Sequence, residues 1–178
     1  AAERLGRRVV HIASGDLSHK LLPEGPYGFA AEGSVFDREC MAALGSGDFI
    51  RLLSIDPALS EGAAECGLRS FWIMAGVLDG LSVTAEALSY EGPFGVGYGV
   101  AAFLVTGVDA SRRIGDAFAA AEAARQEARR AAEDAYVKLA RYSLETFVKT
   151  RQRAALPEAL LPALTTRRAG VFVSLKKD

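Results

Sequence analysis

The sequence predicts an α/β protein, and three observations carry that expectation. A short apolar run, Arg8-Val9-Val10-His11-Ile12-Ala13, stops at Ser14-Gly15-Asp16, as a buried strand does when it delivers a polar loop at its C-terminal end. Two further strand-like stretches, residues 82–90 and 97–106, are separated by Glu91-Gly92-Pro93. Helix-forming segments fill the space between these runs and follow them.

In chain order, residues 22–33 hold two Pro and three Gly and read as a surface loop. Ser34 can cap a helix over residues 35–44, which Gly45-Ser46-Gly47 ends before a short helix over 49–54. Ser60 then caps a longer helix over 61–78, with apolar residues on nearly every side, so most of its circumference should be buried. Gly95, Gly97 and Gly99 alternate with Val96, Tyr98 and Val100. Period two puts the three glycines on one face, a bare backbone surface that another part of the protein can approach. Residues 111–150, rich in Ala, Arg and Glu and free of Pro, predict one long helix or two with a break. Its first part has little to bury, whereas Tyr136, Leu139, Ala140, Leu144, Phe147 and Val148 recur at helical spacing and predict packing into a domain. Residues 169–175 read as a strand that stops where its hairpin partner should begin, so the expectation is a chain cut at its C-terminus.

Composition narrows the function classes. Half of the residues are hydrophobic, yet no run approaches the roughly 18 apolar residues that span a bilayer, so no membrane association is expected. A formal net charge of −1 offers no electrostatic case for nucleic acid, and the Arg and Lys between 112 and 153 alternate with Glu as on a solvated helix face. Two cysteines are too few for a disulfide framework and no signal peptide precedes the first strand, which points to the cytoplasm. Residues 1–107 carry 7 Lys/Arg against 13 Asp/Glu, while residues 108–178 carry 14 against 9, so the two stretches bear opposite charge and suggest two units.

The chemistry-bearing candidate is His19. It stands in a Ser/Gly/Asp loop after a strand, where α/β enzymes gather their ligands, and Asp16 three residues earlier can orient its imidazole. The bland alternative is a surface or hydrogen-bonded structural histidine. His11, inside the first strand, reads as a core residue, and Cys40, without a partner at metal spacing, as structural. Glu65 can pair with Arg69 one helical turn on, and Cys66 in an apolar helix reads as a small core residue. The alternating glycines at 95–99 contain no GxGxxG, so no dinucleotide loop is expected.

Ser14-Gly15-Asp16-Leu17-Ser18-His19, followed by the loop ending in Pro26-Tyr27-Gly28, by Glu65-Cys66-Gly67 and by the Gly-rich strand, resembles the C-terminal part of LigB-type class III extradiol dioxygenases. The resemblance implies ring opening of a catechol-like aromatic substrate by dioxygen beside a non-haem iron(II), with His19 as the acid/base residue and Asp16 beside it. It also implies one metal ligand from this stretch. A carboxylate preference argues for Glu65, and the Cys-Gly pair of the similar Memo proteins argues for Cys66; on a helix only one of the two could face the metal. The family's two ligand histidines come from its N-terminal half, so this chain alone is expected to bind iron weakly or not at all.

Residues 135–145, the segment from Pro157 to Pro162, and Arg168-Ala169-Gly170-Val171-Phe172-Val173-Ser174-Leu175-Lys176-Lys177 resemble the opening of an AMMECR-type domain. Together the two resemblances suggest a LigB-like mixed α/β sandwich in part over residues 1–107, a helical linker over 108–133, and the incomplete start of an α+β AMMECR-type domain over 134–178. The pairing is similar to fusion proteins of the AmmeMemoRadiSam system, which implies Memo-like and radical SAM proteins as partners. The competing expectation is a non-catalytic scaffold that kept the fold and binds other proteins.

Overall fold

Ala31–Ser46 forms helix α1 because Phe36, Cys40, Ala43 and Leu44 recur on one face and are buried there. It begins four residues before the expected start, with no side-chain cap, and Ser34 lies within it. Its end is as expected: Gly47 adopts φ 68°, and the N–H groups of Gly47 and Asp48 donate to the carbonyls of Leu44 and Ala43. Asp48 then caps α2, Phe49–Leu53, by accepting the Arg51 N–H at 2.9 Å.

The expected helix over 61–78 is in fact two. Asp56, and not Ser60, caps α3, Pro57–Ala63, and α4 spans Leu68–Val77. Ala64 leaves the first helix at φ 53°, and Gly67 is pressed against the Asp16 carbonyl and the Phe71 ring. A continuous helix would drive through the 15–16 backbone, so the chain turns. Nor is α4 buried all round: Leu68, Phe71, Met74 and Ala75 face the core while Trp72, Ile73 and Val77 face outward.

Leu81–Glu91 and Tyr98–Val108 form an antiparallel hairpin, β1 and β2, within a residue or two of the expected strands. Ala87 and Ala85 lie over Gly45 and Gly47 of the α1 terminus, and Leu81, Val83, Ala101 and Phe103 pack against the core. Only Gly99 of the three alternating glycines lies in β2, with Gly95 and Gly97 in the connection before it, yet all three are approached from within the chain. A Cβ on Gly99 would strike Met41 and Leu17, one on Gly97 the Asp37 carboxylate, and one on Gly95, which has φ 83°, the Gly25 backbone. Residues 17–21 run along this surface: the Leu17 N–H donates to Gly97 O, the Gly97 N–H to Ser18 O, and the Leu21 N–H to Gly95 O, at 2.7–3.0 Å.

Residues 8–13 depart from expectation. They form no strand, and Val9, Val10, His11 and Ile12 are exposed, so His11 is not a core residue. An extended segment needs a ladder and an apolar face to be held, and among the described residues the one sheet consists of β1 and β2.

The computed structural model describes residues 6–160, 164, 170 and 172–174 and falls into two units, Ala1–Ala120 and Ala121–Asp178. The elements above belong to the first. Helix α5 is Ile114–Ala131 and helix α6 is Ala135–Thr150, parted at Asp134, which caps α6 by accepting the N–H groups of Tyr136 and Val137. Contrary to expectation, Tyr136, Leu144, Phe147 and Val148 of α6 are exposed. Glu158–Leu160 is a single 3₁₀ turn. Of the expected strand over 169–175, residues 170 and 172–174 have no regular structure, and 169, 171 and 175 lie outside the described residues, as does Pro162. Among the described residues no helix is long and apolar enough to cross a membrane.

Phe36 is fully buried, whereas Ile73 points outward. Phe36→Ala should therefore lower unfolding stability by about 3–5 kcal/mol, and Ile73→Ala by less than about 1 kcal/mol, as measured by urea unfolding of the full chain followed by circular dichroism.

Candidate functional site

The loop from Ser14 to Lys20 is where the sequence places its chemistry, and a glycine pair builds it. Gly15 and Gly67 pack backbone on backbone, with no room for a Cβ on either. That contact brings Asp16 beside Cys66. The Asp16 N–H donates to Cys66 Sγ at 3.3 Å, and the Cys66 N–H donates to the Asp16 carbonyl at 3.4 Å.

Ser18 and His19 then turn inward. The His19 N–H donates to Ala63 O at 3.0 Å, and the Ser18 hydroxyl donates to the same carbonyl at 3.1 Å while accepting the Lys20 N–H. The His19 side chain is 15% exposed and stacks on Tyr27, with ring centroids 5.0 Å apart. Its Nε2 lies 3.6 Å from Asp16 Oδ2, beyond hydrogen-bonding distance, and is buried without a hydrogen-bond partner.

One ligand atom each from Asp16, His19 and Cys66 lie within 4.8 Å of one another. Ligands about 2.0–2.3 Å from a single ion fall within that reach. A carboxylate and a thiol at that spacing fit a divalent cation that tolerates sulfur, with the unpaired imidazole nitrogen of His19 beside them. Glu65 is not part of the group. Its carboxylate accepts the N–H of Leu68, the first residue of α4, at 2.6 Å. The expectation that helical geometry would choose between Glu65 and Cys66 rested on a helix that stops at Ala63; in the loop the two residues have different neighbours instead. His11 is exposed and lies outside the group.

A second layer was not foreseen. Asp37 of α1 is 1% exposed; its Oδ1 accepts the Ser18 N–H and its Oδ2 the Tyr90 hydroxyl, both at 2.7 Å. Burial pushes its carboxyl above the usual range, against the opposing pull of the Tyr90 hydroxyl, the Ser18 N–H and His19. Burial likewise raises Tyr90, helped by Asp37. The signal for Asp37 was present in the sequence: an acid placed one turn from Gly33 and Cys40, in the apolar stripe of a helix.

The sequence that carries this loop matches a known family. Residues 1–101 match the family described as the catalytic LigB subunit of aromatic ring-opening dioxygenase, and the chain belongs to that family. It is also similar to protein CA_C1420 of Clostridium acetobutylicum, with 40% identity over 181 aligned residues. The alignment takes in 99% of this chain but 38% of that relative, so the chain spans well under half of its length.

The two thiols sit in opposite surroundings. Burial, with the charges of Asp37 and Glu65, pushes Cys40 up to about 12, whereas Cys66 is exposed. At pH 8 a chromogenic disulfide reagent should titrate one thiol of the folded chain and the second only after denaturant is added. Cys66→Ser should remove the first and leave the second.

Proposed function

We propose that this chain carries the acid/base part and one metal-ligand corner of a class III extradiol dioxygenase-type site, which opens a catechol-like ring with dioxygen. The observation that carries this reading is the convergence of Asp16, His19 and Cys66 around a buried, unpaired His19 Nε2. His19 takes the proton of a substrate hydroxyl at Nε2 and returns it as the ring opens, a role suited to an imidazole near neutral pH. Asp16 orients the ring from the open side of the loop. Tyr27, stacked on its face, keeps water from it. Cys66 is the ligand candidate of this stretch, since it and not Glu65 lies in the group with Asp16 and His19. Iron(II), when bound, supplies the Lewis acid and electron source that the reaction with dioxygen requires.

Extended along the chain, this reading makes residues 134–178 the opening of an AMMECR-type domain in a cytoplasmic protein of the AmmeMemoRadiSam kind, with Memo-like and radical SAM proteins as partners. A second reading, a scaffold that kept the fold without the chemistry, is favoured by the exposed Leu88, Val100 and Leu104 on β1 and β2.

The natural protein in full, loaded with iron(II), should cleave catechol, seen as the rise of a coloured ring-opened product. His19→Ala should lower that rate by about 10²–10⁴-fold, and Cys66→Ser should lower bound iron measured by metal analysis. Binding of iron without any cleavage of catechols would favour the scaffold.

A further inference from the structure

We propose that Asp37 is the positioning residue for His19: its buried carboxylate fixes the Ser18 peptide from which the imidazole is carried, and Tyr90 holds that carboxylate from the other side. The proposal rests on the acid/base reading of His19 and deepens it.

A carboxylate inside the apolar stripe of a helix is costly unless its oxygens are satisfied. Asp37 makes no ion pair with Lys or Arg among the described residues, and its two partners are the Ser18 N–H and the Tyr90 hydroxyl. The first lies immediately before His19. The second comes from β1, so one side chain ties the site loop to both α1 and the hairpin.

Ser18 is thereby held through both of its backbone polar groups. Its N–H points to Asp37, and its carbonyl accepts the Gly97 N–H at 2.7 Å. Gly97 can approach that closely only because it lacks a Cβ, which would collide with the Asp37 carboxylate and press on Leu17. With the His19 N–H donated to Ala63 O as well, little backbone freedom remains at residues 18 and 19. What stays free is the His19 side-chain torsion, and the stack on Tyr27 limits it.

The chain has two histidines, and the exposed His11 serves as an internal reference. In the full chain, nuclear magnetic resonance of isotope-labelled histidine should show His19 ring signals shifted by the Tyr27 ring current, and a Ser18 amide protected from exchange. Asp37→Leu should lower that protection by about tenfold or more, the loss expected for a hydrogen bond to a charged group. It should also move the His19 ring signals toward those of His11, which stay in place. Asp37→Asn keeps an acceptor for the Ser18 N–H and should restore both. If Asp37→Leu does not fold, Tyr90→Phe, at a half-exposed position, should displace the same His19 signals. His19 signals that stay unmoved in a folded Asp37→Leu chain, or in Tyr90→Phe should the first not fold, would overturn the proposal, as would equal displacement in Asp37→Asn. These readouts need no metal or substrate, so a failure of the dioxygenase reading leaves them standing and a failure here leaves that reading open to its own test.

Discussion

The close approach of the Gly15 and Gly67 backbones is the constraint on which the site depends. Any side chain at either position would separate the loop after residue 13 from the turn between α3 and α4, and with them Asp16 from Cys66. The same contact explains why the chain cannot continue as one helix through residue 67. Two elements some fifty residues apart in sequence are thus held by the absence of two Cβ atoms, and the donors of the candidate metal site follow from that geometry.

A second set of contacts keeps the loop in register on the other side. Residues 17–21 lie against the glycines of the hairpin turn and exchange backbone hydrogen bonds with Gly95 and Gly97. Leu17 and Ser18 are fully buried beneath it. The site is therefore a loop in name only: its backbone is paired, its middle is core, and Asp16 and Cys66 reach solvent at its rim. Such a mount holds the His19 imidazole in place.

The apolar surfaces tell a different story from the site. Exposed Val9, Val10 and Ile12, the outward residues of β1 and β2, and the stripe of α6 are more hydrophobic than solvent-facing segments need to be. The relative from Clostridium acetobutylicum is much longer than the stretch it shares with this chain. Both facts bear on how the whole protein works, and the site alone does not account for them.

Local patterns were enough to determine the α/β class, the hairpin and the Gly47 stop of α1, and they pointed to His19 with Asp16 as the candidate pair. Each of these rests on neighbours in sequence: turn residues, period-two alternation, a polar loop after an apolar run. The break at Ala64, the exposure of residues 8–13, the choice of Cys66 over Glu65 as neighbour of Asp16, and the roles of Asp37 and Tyr90 were decided by tertiary structure. Each depends on what approaches from a distant part of the chain: Gly15 on Gly67, the Leu68 N–H on Glu65, Ser18 and Tyr90 on one buried carboxylate. Sequence spacing carries no information about such an approach unless a residue stands out of pattern, as Asp37 does among the apolar residues of its helix.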